Sequence, residues 1–396
     1  MTTAAMTATR SPGDRLDTVT WLVLAGFVAA LQFSIAGSQL LLAVVLLAWS
    51  VLVVSRHETV SVPRIFWPLC AYAAVTLVSA AFSANPVASF IDCKQLVLFL
   101  IVPAVYRLTR GHRADVLLTV IISVGALSAL VGVFQYGILH YDNLGRRPQG
   151  TLTHYMTYSG ILMLTLCAAT ARLLFRKGER GDWVWPALVM PVLVVALALT
   201  FTRSAWVGAC AGIALLLMMK DRRLIALMPV VVAVFIALAP QGVLDRAYSM
   251  FDLNDPTNRD RIAMLKSGAR MVADHPLVGV GPNMVKEVYA SYRDPGAVQE
   301  LNVHLHNVPM QIAAERGLPA LAIWAWFVVV LLRDMAHLLR TAPHPSLAAA
   351  GLAAVVAMLG AGLFEYNFGD SEFLMLFLVL VTLPYAGLRA PAATAR

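Results

Sequence analysis

Long apolar blocks, separated by short polar or basic connectors, fill most of the chain, with no stretch of strict polar and apolar alternation between them. Blocks of this length match the ~30 Å of a bilayer core at the rise of a helix, and only a helix satisfies its own backbone there. The pattern predicts an all-α polytopic membrane protein with about twelve spans, near 19–36, 38–54, 65–83, 92–107, 115–137, 157–175, 183–201, 203–219, 223–240, 316–333, 347–365 and 372–388. The first block is too long for a signal-peptide core and runs straight into a second, so it is expected to be retained as a span.

The connectors are uneven. Residues 241–315 form the one long connection, and its stretch DRIAMLKSGARMVADHPLVGVGPNMVKEVYASY repeats apolar positions at helical spacing around a break at His275-Pro276, Gly279 and Gly281. Two amphipathic helices near a bilayer surface are expected there. Shorter polar connectors follow the fifth span (HYDNLGRRPQGTLTHYMTYSG) and the eleventh (FEYNFGDSEF). The chain therefore divides into a tail at 1–18, nine spans in 19–240, the loop at 241–315, three spans in 316–388 and a tail at 389–396.

Composition supports this division. Of 396 residues 59% are hydrophobic and 13% charged, with mean hydropathy +0.74, which excludes a water-soluble globule. Setting the N-terminus in the cytoplasm places Arg10, Arg15, Arg56, Arg64, Arg107, Arg110, Arg113, Arg172, Arg176, Lys177, Arg180, Lys220, Arg222, Arg223, Arg333, Arg340, Arg389 and Arg396 inside. Arg146, Arg147 and Arg203 remain on the short outer connectors, with Lys94 near a span end, so both termini are expected inside and the long loop outside. The net charge of +8 reflects this bias and carries no nucleic-acid module. Cys70, Cys93, Cys167 and Cys210 fall in or beside spans without metal-type spacing and read as small apolar packing residues.

Candidate chemistry gathers on the outer connectors. Arg203, in LALTFTRSAWVGACAG, stands alone between two spans, either as an arginine snorkelling from a hairpin tip or as an anion clamp. NDPTNRDRIAML adds Arg259 and Arg261, whose i, i+2 spacing lets only one face a shared site; Arg261 is favoured. In LNVHLHNVPMQIAAERGLPALAIW, Asn307 suits an N-cap and Pro309 the first turn of a helix that runs to Gly317, with the span starting again at Pro319. His306 precedes that helix, whose positive end favours a neutral imidazole able to take a proton; the alternative is a histidine that only satisfies loop hydrogen bonds. His304 and His306, two apart and without a nearby carboxylate quartet or an HExxH motif, are a weak metal pair, and no metal or other cofactor is expected. Glu315, Asp370 and Glu372 carry no assigned role. Arginines with one neutral histidine suit displacement of a pyrophosphate by a hydroxyl.

These motifs resemble the bacterial O-antigen ligase family and its polymerase and oligosaccharide-transferase relatives. HNVPMQIAAERGLPA, the Arg, His-Pro and Gly-Val-Gly spacing before it, and TRSAWVGA carry the likeness, while the family's second Gly after Gly317 is Ala320 here. The resemblance implies an inner-membrane enzyme with a periplasmic active site. It would transfer a polysaccharide from undecaprenyl pyrophosphate to lipid A-core, with inversion and without metal. His306 would be the base and Arg203 and Arg261 the pyrophosphate-binding residues, followed by Arg259, Arg147 and Arg146, with Asn307 and Gly317 supporting the motif. An O-antigen polymerase or protein-directed oligosaccharyltransferase would share that donor. A transporter of lipid-linked glycan fits poorly with the asymmetric loop.

Overall fold

The computed structural model describes residues 12–176 and 183–390, and among them the chain is helical apart from one isolated bridge between Asn143 and Arg146. In chain order the helices are α1 Pro12–Ala30, α2 Ile35–Ser55, α3 Phe66–Ala81, α4 Pro86–Asp92, α5 Ile101–Leu108, α6 His112–Gly137, α7 Tyr155–Phe175 and α8 Val184–Leu199. They continue with α9 Arg203–Lys220, α10 Met228–Leu238, α11 Gln241–Tyr248, α12 Pro256–Asp274, α13 Val285–Tyr292, α14 Val308–Thr341, α15 Pro345–Gly362 and α16 Ser371–Gly387. Arg10, Lys177, Arg180 and Arg396 of the basic set, and much of both tails, lie outside the described residues.

Helix coincides with each predicted span, and the chain is an all-α polytopic membrane protein. The count of twelve is not reached by length and apolarity alone. Among the described residues seven segments are long and apolar enough to cross a bilayer, and α3, α8 and α16 are shorter apolar helices. Physical stops account for the shorter ones. Ser79 near the end of α3 donates to the carbonyls of Val278 and Glu315, which docks the helix on the long loop. At the end of α8 the chain turns back through Phe201, which takes a positive φ of 55°, and Trp206 Nε1 closes the hairpin on Leu197 O at 2.9 Å.

Helices α7 and α15 form the centre, with 78% and 83% of their spanning windows buried against 28% for α2, whose sides face outward. Packing around α15 is close because the residues are small. Gly208 and Gly212 of α9 lie so near α15 that a Cβ would stand 2.6 Å from Ala357 O and 3.0 Å from Ala353 O, the small-residue contact that joins helices in lipid. Cys167 is buried in this centre, whereas Cys70 and Cys210 are exposed on the flanks of α3 and α9; all four cysteines are free thiols.

The long loop folds into α11, α12 and α13, one helix more than expected. Helix α12 buries Asp260, Ala263, Met264, Ser267, Gly268 and Met271 along one stripe and ends at His275, where the break was expected. Its apolar residues share a small core with Val280, Met284, Val285, Tyr289, Leu305 and Ala314.

Helix α14 has two parts. Asn307 caps it by accepting from Met310 N at 2.9 Å, and Pro309 lies in its first turn. At Gly317 the backbone leaves the helix (φ 80°, ψ 170°), a region open essentially to glycine alone. The Leu277 carbonyl would lie 2.3 Å from a Cβ there, and Leu318 N donates to Pro276 O across the kink. Val280 N and Gly281 N in turn donate to the carbonyls of Ala314 and Glu315. The His-Pro and Gly-Val-Gly segment is thus a clamp that seats the short first part of α14 against the bundle.

Candidate functional site

At the loop end of the bundle, residues from the α6–α7 connector, the α8–α9 turn, α11, α12 and the segment before α14 enclose a cavity of about 280 Å³. Arg147, Arg203, Arg246, Arg261 and His306 all line it. Arg203 is 4% exposed and turned inward, which sets aside snorkelling. Its NH1 donates to Ser249 O at 2.9 Å and Ser249 Oγ at 3.0 Å, and its NH2 lies 3.5 Å from Asp255. Arg203 also opens α9, whose N-terminus lacks a side-chain cap, so Thr202, Arg203 and Ser204 bring a helix's positive end to the same wall.

The arginines are held by weak or neutral partners. Arg147 stacks over Tyr155 at 4.3 Å and Arg261 lies 6.0 Å over Phe364. Asp260 also lines the cavity, but its carboxylate is taken up by the backbone N–H groups of Val298 and Gln299. Burial, followed by the charges of Arg203 and Arg147, pulls Arg246 down to about 10. Burial also lowers Arg147 and Arg261, with Arg203 adding to both and Glu365 opposing in Arg261. Guanidiniums that depress one another in a partly desolvated space form an anion site.

His306 sits at the edge of this field with a left-handed φ of 47°, uncommon for a residue with a Cβ. Its Nδ1 lies 2.8 Å from Glu365 Oε2, and His304 Nε2 lies 3.0 Å from Glu365 Oε1. Glu365 also accepts from Tyr366 N at 3.1 Å. Burial opposes ionisation of Glu365, yet the two imidazoles, His306 foremost, hold its carboxyl well below the usual glutamate range. With Glu365 ionised, a neutral His306 carries its proton on Nδ1 and leaves Nε2 as an acceptor.

Asn307 donates to Leu363 O at 3.0 Å, and Arg316 donates to Glu315 at 2.7 Å and to Tyr366 Oη at 3.3 Å. Both residues fix the α15–α16 connector that carries Glu365, and neither lines the main cavity. A smaller recess of about 40 Å³ continues inward past Met156, Thr202 and Ser204 to Thr157, Glu365 and Asp370. There burial pushes Asp370 up to about 6 against hydrogen bonds from Phe373 N and Thr157.

The cavity therefore gathers four of the residues singled out in the sequence: Arg147, Arg203, Arg261 and His306. Arg146 and Arg259 lie outside it. Arg146 is exposed and stacks over Tyr141 at 4.3 Å, and Arg259 points to the exposed side of α12. Sequence reasoning missed Arg246 and Glu365. Arg246 sits in a short helix without a motif, while Glu365 was signalled only by a polar connector between two apolar spans. Glu365 also adds a carboxylate to the histidine pair: His304, His306 and Glu365 offer ligand atoms within 4.8 Å of one another, the one such trio among the described residues. The guanidiniums across the cavity disfavour a cation there.

A family model described as O-antigen ligase matches residues 187–325, from α8 through the loop domain into α14. No curated protein matches the chain.

Proposed function

With a model described as O-antigen ligase matching residues 187–325, we propose that the chain is a member of that family and an inverting glycosyltransferase of the bacterial inner membrane that needs no metal. In this reading it moves a polysaccharide from undecaprenyl pyrophosphate to a hydroxyl of lipid A-core on the periplasmic face. The observation that carries the proposal is the shared cavity: four arginines and an uncapped helix end line it together with a histidine whose Nδ1 is engaged by a half-buried carboxylate.

The donor's pyrophosphate lies against Arg203 and Arg261, with Arg147 and Arg246 completing the positive wall, while the polyprenyl tail runs outward among the spans. His306 Nε2 takes the proton of the acceptor hydroxyl as that oxygen attacks the anomeric carbon. The new C–O bond forms on the face opposite the breaking bond, so the anomeric configuration inverts. The bonding pair leaves with the pyrophosphate, and the arginines stabilise charge growing on the departing oxygen. Glu365 holds the imidazole in the accepting tautomer and balances the imidazolium.

The deciding experiment is ligation by purified protein with undecaprenyl-pyrophosphate glycan and lipid A-core as the only substrates, in the presence of chelator. Glycan-capped lipid A-core made by the wild type and lost in His306→Ala supports the assignment. Donor chains that lengthen without capped product would identify a polymerase instead.

A further inference from the structure

At the end of the bundle opposite the cavity, the basic groups are unequally neutralised. Arg107 donates from Nε and NH2 to Glu58 at 2.8 Å each and from NH1 to Asp17, and Arg113 reaches Asp17 at 2.7 Å. Arg56 adds a longer contact to Glu58 at 3.9 Å. Both carboxylates are thereby committed.

Arg110 and Arg389 are left over. The buried Nε of Arg110 has no hydrogen-bond partner among the described residues, and burial, then Arg389 and Arg107, pulls Arg110 below the usual arginine range. Arg389 stacks over Tyr106 at 4.4 Å, and among the described residues its guanidinium donates to the Tyr106 carbonyl alone. The two guanidiniums border one crevice with Trp49, Thr59 and Ser61, and the paired Glu58 and Arg107 also line it.

Two features favour a lipid over a soluble anion. The crevice has a volume of only about 20 Å³, so it admits little more than one phosphate oxygen and leaves the rest of a ligand outside. Val54 of α2 and Leu388 after α16, each next in sequence to a residue that lines the crevice (Val53 and Arg389), are exposed large apolar residues against which acyl chains can lie. We propose that this crevice holds the phosphate of an anionic membrane phospholipid, contacted by Arg110 and Arg389, with its acyl chains along α2.

The test is native mass spectrometry of the full chain in detergent with equal amounts of phosphatidylglycerol and phosphatidylcholine. Wild type should retain phosphatidylglycerol preferentially. Arg110→Gln and Arg389→Gln should each weaken that preference about fivefold, the scale of one basic residue at an anionic surface. If Arg110→Gln loses its melting transition, Arg389→Gln carries the test. An unchanged preference in the folded variants would overturn the proposal. Full displacement of phosphatidylglycerol by inorganic phosphate at equal concentration would also overturn it, by assigning the crevice to a soluble anion.

Discussion

His306 and Glu365, 59 residues apart in sequence, meet at 2.8 Å between Nδ1 and Oε2, and this contact orients the imidazole at the edge of the arginine-lined cavity. A carboxylate on Nδ1 defines which ring nitrogen can take a proton. Glu365→Gln keeps the size of the side chain but removes the charge that balances an imidazolium. Turnover is expected to fall about 10²-fold or more with little change in donor KM, and His306→Ala to fall at least as far. Parallel steady-state kinetics on the three proteins check this; a Gln variant of wild-type kcat would remove Glu365 from the mechanism.

Arg246 tests the electrostatic side of the site. Its guanidinium is depressed by burial and by Arg203 and Arg147, so it adds to a field that a pyrophosphate would relieve. Arg246→Gln should weaken donor binding by roughly 10-fold to 100-fold, the value of a hydrogen bond to a charged group, and make binding less sensitive to salt. Arg259→Gln, on the exposed side of the same loop domain, should change neither. Equal effects from both would mean that the response reports net charge rather than the cavity.

Much of this architecture was legible in the sequence because lipid imposes a simple rule: apolar blocks become helices, and most block ends fell within a few residues of a helix end, the first and tenth blocks missing theirs by six to eight residues. The first part of α14 was legible for a different reason, since Asn307, Pro309, Gly317 and Pro319 are local punctuation that needs no tertiary information. What could not be read were the partnerships made by folding. Nothing near His306 in sequence announces Glu365, and nothing in QGVLDRAYSM separates Arg246 from a solvated arginine. Arg259 and Arg261 show the reverse. Their spacing already required them to diverge, and the helix settles which one faces inward.

Gly317 should tolerate no side chain. A Cβ there would meet the Leu277 carbonyl at 2.3 Å on a backbone that other residues avoid. Gly317→Ala is expected to destabilise the protein by at least about 1–3 kcal/mol, read as a lower melting temperature in detergent. Because the kink seats the segment carrying His306, activity should fall at temperatures where the variant is still folded. Gly137→Ala, at a helix end with no atom within 4 Å of the added Cβ, is the matched control. If both variants melt together, the kink does not clamp the loop domain.

Asp370 gives stability a pH dependence of defined sign. Its folded value is pushed up from 3.8 to about 6 by burial, so between those two values the folded chain holds a proton that the unfolded chain releases. Stability from this group therefore falls as pH rises from about 4 to 6, and the loss is complete above that window. Glu365 has the opposite sign: its lowered value stabilises above the ordinary 4.5, and that contribution is lost as pH falls below it. The two are separable, because Asp370→Asn retains an oxygen to cap α16 at Phe373 N while removing the titration. The difference in stability between Asp370→Asn and wild type should grow in favour of the variant from pH 4 to pH 6, reaching on the order of 3 kcal/mol, and then level off. Parallel melting curves across that range would show that Asp370 is ionised in the folded protein and that the recess beside Glu365 is open to water.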